Sequence, residues 1–191
     1  MQERRHMYLT AIIDWFSRKI IGWTLSDTLD TEPVLECVKA AAERFGITAI
    51  LKADRGSKFT SDEYKALLKQ YGIRQSMDGK SRWADNVRIE RWFRSLKTEL
   101  IYINEFDSLK LLRRAIHDYI QQYNTQHPHQ ALDYATPEDV YSCPFLFPDA
   151  DLDWGCRLGN KASSEVSLTY SCSRLFYCYL VLTIGTIISR V

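Results

Sequence analysis

Two short apolar runs open the chain, at residues 7–13 and 18–26, separated by the turn-like Asp14-Trp15-Phe16-Ser17; the pattern predicts a β-hairpin. A helix follows, with Thr31 as N-cap, Pro33 in the first turn and Gly46 ending it in the left-handed conformation. Residues 47–53 read as a buried strand that stops just before Asp54. Ser61 caps a second helix ending at Gly72, residues 73–77 form a short strand, and residues 78–82 are a polar loop. Asp85 caps a long helix reaching about residue 101, in which Ile89, Phe93, Leu96 and Leu100 recur at intervals of four, three and four and make one apolar stripe. Ser108 begins a further helix to about residue 124, and Thr136-Pro137-Glu138 starts a last one. Hairpin, helix, strand, helix, strand, helix, helix is the order of a mixed α/β layer fold.

After residue 141 the pattern dissolves. Residues 143–191 carry few charges, many Ser, Cys and Tyr, and no amphipathic period. The stretch 175–188 is almost wholly apolar, but its 14 residues fall short of the roughly 20 that a membrane helix needs. The expectation is a domain over residues 1–141 and an unrelated or out-of-frame tail over 142–191, poorly ordered or forming a hairpin of its own.

Composition narrows the class only slightly. The 191 residues are 46% hydrophobic and 26% charged, with formal net charge +1, so the total favours neither a membrane nor nucleic acid. Four of the five cysteines fall after residue 142 and no paired C-x-x-C motif exists, which leaves a zinc site unsupported. The N-terminus reads directly into a strand without a signal peptide, so a cytoplasmic protein is expected. Charge is informative only locally. Between Arg74 and Lys97 seven basic residues face three acids, a basic stretch in a neutral chain.

Within that stretch Asn86, Glu90, Arg94 and Lys97 recur at four, four and three, and so share one helix face beside the apolar stripe. Asp54, at the end of a buried strand, and Glu90 are the acids of interest, because strand ends of open α/β sheets are where ligands collect. On spacing alone the stronger reading is structural: Asp54 caps a loop, and Glu90 pairs with Arg94 one turn later.

Longer motifs change that balance. The segments A-D-R-G-S-K-F-T-S (53–61), S-M-D-G-K-S-R-W-A-D-N-V-R-I-E-R-W-F-R-S-L-K-T-E (76–99) and Y-N-T-Q-H-P-H-Q-A-L (123–132) closely resemble bacterial insertion-sequence transposases whose second reading frame encodes an integrase-like core. A-I-I-D-W-F-S-R-K-I-I-G-W (11–23) and T-P-E-D-V-Y (136–141) extend the resemblance over residues 1–141. It implies a ribonuclease H-like mixed sheet flanked by helices. It also implies Asp54 and Glu90 as the second and third members of an Asp-Asp-Glu triad, which binds two Mg²⁺ (or Mn²⁺) ions for nicking at element ends and strand transfer. Lys80, Arg82, Asn86, Arg94 and Lys97 would contact DNA, the expected partner, alongside a second copy or a full-length transposase.

The departure that matters is at the start. In the resembling family the first metal-binding aspartate lies on the strand before the one that ends in Asp14, in a Thr-Asp-Ile-Thr-like run that nothing here matches. Asp14 itself reads as a turn residue capping backbone amides. The expectation is therefore a sheet missing its first strand and a core impaired in catalysis; the alternative is a non-catalytic DNA-binding or dimerising remnant. Smaller departures include His127, where the family usually has Arg. His127 and His129 read as loop packing or DNA-facing donors, Trp15, Trp23 and Trp92 as core or interface, and Trp83, in the segment before Asp85, as a candidate for stacking on a base or flanking DNA.

Overall fold

The computed structural model describes residues 4–53, 56–77, 87–142 and 179–190. Its elements run β1 (Arg4–Asp14), β2 (Ile20–Ser26), α1 (Glu32–Phe45), β3 (Ile50–Ala53), α2 (Asp62–Gln70), β4 (Arg74–Met77), α3 (Val87–Leu96), α4 (Leu109–Gln126), α5 (Pro137–Ser142) and β5 (Tyr179–Arg190). A short 3₁₀ turn, Ser57–Thr60, precedes α2, and a π turn, Lys97–Ile101, extends α3.

The helix starts follow from their caps. The Ser61 hydroxyl accepts from the Tyr64 amide at 3.3 Å, and the Ser108 hydroxyl from the Leu111 amide at 3.3 Å. Thr136 and Asp139 cap α5 reciprocally, with Asp139 N–H donating to Thr136 Oγ1 at 3.2 Å and Thr136 N–H to Asp139 Oδ2 at 3.2 Å. Thr31 precedes α1 as expected but makes no side-chain cap bond; its carbonyl accepts from Val34 and Leu35 instead. Gly46, at φ +88°, ends α1 in a conformation that side chains resist. The strand expected over 47–53 forms only from Ile50, because Ile47 faces solvent.

Among the described residues the strands form one sheet in the order β2-β1-β5-β3-β4. β1 is antiparallel to β2 and to β5, while β3 is parallel to β4 and to β5. The sequence reading sets residues 142–191 apart from the domain and the sheet one strand short; Tyr179–Arg190 instead occupy the middle of the sheet, so five strands are present. The physical reason lies in the apolar run itself. A central strand is covered on both faces and needs no polar alternation, so its sequence reads as a short continuous hydrophobic stretch.

Two apolar layers enclose the sheet. On one face Met7, Leu9, Ala11 and Ile13 of β1 pack with Ile89, Trp92, Phe93 and Leu96 of α3 and with Leu112, Ile116 and Ile120 of α4. On the other, Ile12, Leu51, Ala53 and Leu182 pack with Val34, Leu35 and Val38 of α1 and Leu67 and Leu68 of α2. Gly22 lets α1 approach β2 closely, since a β-carbon there would stand 3.2 Å from that of Ala41.

Candidate active site

α3 is amphipathic, and its burial decides what it presents. Ile89, Trp92, Phe93 and Leu96 are buried, which leaves Glu90 and Arg94 exposed and Lys97 half-buried along one edge. Among the described residues Glu90 makes neither a hydrogen bond nor an ion pair, so the pairing with Arg94 one turn later is not formed. The helix is anchored at its start by Arg88, whose guanidinium lies 4.3 Å from the Trp15 ring centroid and donates to the Trp15 carbonyl. The anchor fixes α3 against the hairpin turn and so sets the height of Glu90 along the sheet.

Beneath α3 the sheet contributes two polar side chains that sequence reasoning did not single out. Lys52 of β3 is 1% exposed, and alternation places it on the face opposite Leu51 and Ala53, toward α3. Thr183 of β5 is 8% exposed, and its Oγ1 has no hydrogen-bond partner among the described residues. Its cross-strand neighbour is Ala11, which belongs to the α3 layer, whereas the preceding Leu182 pairs with Ala53 and belongs to the opposite layer. Thr183 is thus the first residue of β5 beyond the end of β3, facing the helix that carries Glu90. The signal that could have found it was the apolar run 175–188, taken as a buried strand.

Of the residues singled out in the sequence, Glu90 and Arg94 come together on α3, and Lys97 opens the π turn that extends it. Asp54, Lys80, Arg82, Asn86 and Trp83 lie outside the described residues. Asp14 does cap its turn, its Oδ2 accepting from Ser17 N at 2.8 Å and Ser17 Oγ at 2.6 Å. Trp92 is fully buried, as a core residue should be.

His127 and His129 pack against Tyr123, with ring centroids at 6.0 and 4.9 Å. Burial, then the charges of Arg18 and His127, push His129 down to about 4 from its ordinary 6.5. The folded state therefore refuses a proton that the unfolded chain takes up, so this contribution to stability is complete above about pH 6.5 and is lost as the pH falls toward 4. Replacing His129 with Gln is expected to flatten the acid side of the stability profile by about 1–2 kcal/mol after solvent screening. Urea midpoints at pH 7 and pH 5 would check it; an unaltered difference between the two counts against the assignment.

Among the described residues no group of three or more His, Cys, Asp or Glu could hold a metal ion. Two divalent ions require several converging oxygen anions. Among the described residues the candidate donors are the exposed Glu90 carboxylate of α3 and, on the sheet face that α3 covers, the buried neutral Thr183 hydroxyl; Asp54 would raise the carboxylate count only to two. Among the described residues the donor set does not fit a complete two-ion site.

Two models of the same description, integrase core domain, match the chain at residues 1–82 and 71–137. The chain is 37% identical over 136 residues to the transposase for insertion sequence element IS904 of Lactococcus lactis, an alignment covering 70% of this chain and 54% of that protein. It thus spans about half the length of that relative. Among solved structures, the catalytic core domain of BIV integrase superposes with a TM-score of 0.59 at 17% identity, covering 75% of this chain and 93% of that one. The HTLV-2 integrase catalytic core domain in complex with magnesium gives 0.55 at 18% identity, covering 70% and 84%. These likenesses establish the fold: the mixed sheet with its flanking helices is that of retroviral integrase cores.

Proposed function

Since the chain belongs, over residues 1–137, to the integrase core domain family, we propose that it is the core of an insertion-sequence transposase that engages DNA through the edge of α3. The observation that carries this reading is the trio Glu90, Arg94 and Lys97, lined along one helix edge and making no side-chain hydrogen bond or ion pair among the described residues. Arg94 and Lys97 would neutralise backbone phosphates, contacts that position DNA without reading its sequence. Lys80, Arg82 and Asn86, outside the described residues, extend the same surface in this reading, and Asp54 joins Glu90 as the second carboxylate.

The reading includes impaired chemistry. Phosphodiester nicking and strand transfer with Mg²⁺ or Mn²⁺ need more carboxylates than Asp54 and Glu90 supply, so the chain is expected to bind DNA without nicking it. Under the alternative reading, a remnant that joins the assembly of a full-length transposase or pairs with a second copy, DNA binding is the whole of its activity. Among the described residues no third carboxylate joins Glu90, which favours that outcome over an active enzyme.

Electrophoretic or fluorescence titration of the full chain with duplex DNA across a range of salt tests the interface. Each phosphate contact contributes about 0.9 to the slope of log K against log salt, so replacing Arg94 and Lys97 together with Ala should lower the slope by about 2. An unchanged slope would remove α3 from the interface. Nicking of element-end DNA that is robust and then abolished by Asp14→Asn would show that the catalytic carboxylates have been misassigned.

A further inference from the structure

β5 enters the sheet from far along the chain and still lies between β1 and β3, pairing with both. It brings the polar side chain of Thr183 to the face that α3 covers, immediately past the point where β3 ends. That hydroxyl is more than nine-tenths buried and has no hydrogen-bond partner among the described residues. A buried hydroxyl without a partner is costly, and a site that leaves one aimed at a carboxylate-bearing helix is shaped for a polar occupant. In sequence, Asp54 directly follows Ala53, the residue that pairs with Leu182.

We propose that Thr183 holds the sheet position from which a carboxylate would complete a divalent-cation site with Glu90, and that its neutral hydroxyl keeps the affinity of this chain for such ions low. The inference rests on the proposed role of Glu90 as a site carboxylate. It goes beyond that role by assigning the deficit to one residue of the C-terminal strand. A hydroxyl offers an oxygen donor but no charge, whereas hard divalent cations are held chiefly by anionic oxygens. One anionic oxygen added on the sheet face that the Glu90 helix covers should therefore change the affinity.

The test is Mn²⁺ binding to the full chain, followed by calorimetry and by the bound-ion signal in electron paramagnetic resonance, with no activity assay involved. Thr183→Asp should bind Mn²⁺ on the order of tenfold or more tighter than the unaltered chain. Thr183→Asn, of matching shape without the charge, should not, and the gain should disappear in Thr183→Asp combined with Glu90→Gln. A buried aspartate can prevent folding, so Thr183→Cys provides a second, nearly isosteric route: its thiolate should give a Cd²⁺ charge-transfer absorption that Glu90→Gln weakens. If neither variant gains affinity, or if the gain survives Glu90→Gln, the assignment of Thr183 is overturned. DNA binding through Arg94 and Lys97 does not depend on residue 183. A normal salt slope beside an absent metal gain therefore rejects this assignment while leaving the DNA-binding reading standing.

Discussion

A chain ended at residue 178 should lose its cooperative unfolding transition, because the strand removed is the one that joins the two halves of the sheet. β5 pairs with β1 from Arg4↔Arg190 to Asp14↔Leu180 and with β3 from Ile50↔Tyr179 to Ala53↔Leu182. Its loss exposes the inner edges of both neighbours and opens the apolar layer in which Leu182 is fully buried. Net hydrogen bonds of about 1 kcal/mol each, together with about 2–5 kcal/mol for one large core side chain, sum to the order of the ~5–15 kcal/mol that keeps an entire domain folded. Within the full chain, Leu182→Asp should destabilise by more than about 4 kcal/mol by forcing a carboxylate into that layer. Circular dichroism melts of the shortened chain and of the variant are the measurement. A transition as sharp and as high as that of the full chain would show that β5 contributes nothing to the fold.

The second large effect is expected at Asn124. Its side chain spans 104 positions of sequence to make two bonds with one residue of β2: Oδ1 accepts from the Ile20 amide at 3.0 Å, and Nδ2 donates to the Ile20 carbonyl at 3.0 Å. The amide mimics a strand backbone and closes the edge of β2 against α4, in a buried setting that water does not reach. Asn124→Ala strands a buried N–H and a buried C=O at once, and about 3–4 kcal/mol should be lost. Asn124→Asp keeps the shape but sets a carboxylate oxygen against the Ile20 carbonyl, and should cost at least as much. Urea denaturation of both variants decides the matter. A loss below about 1 kcal/mol for each would mean that the bridge carries no stability.

Asn124 also shows how sequence and structure divide the work. It lies in the segment Y-N-T-Q-H-P-H-Q-A-L that marks the family, and nothing in that motif says whether it touches DNA or holds the fold. The bidentate bond to Ile20 answers that it holds the fold. The neighbouring His129 packs edge-on against Tyr123, the loop-packing half of its sequence reading. By contrast, the stripe Ile89, Phe93, Leu96 was legible outright, and with it the exposed edge bearing Glu90 and Arg94, because helical period alone decides which side is buried. The caps at Ser61, Ser108 and Thr136 were equally plain, since each satisfies amides within its own turn. Residues 179–190 were less legible. Their lack of alternation looked like the absence of a domain, although a strand enclosed on both faces shows no alternation.

What the sequence determined by itself was local: the helices, the caps at Ser61, Ser108 and Thr136, the turn held by Asp14, the sidedness of α3, and the motifs that tie residues 1–141 to integrase-like transposases. What only the tertiary structure decided was which segment fills the middle of the sheet and which side chain it turns toward α3. Backbone ladders join residues without regard to side-chain identity or distance along the chain, so a partner some 170 positions away leaves no mark beside the strand it pairs with. Register then settles the chemistry. A slip of one residue along β5 would turn Leu182 toward α3 and Thr183 away from it, and no pattern within those twelve residues states which register is formed.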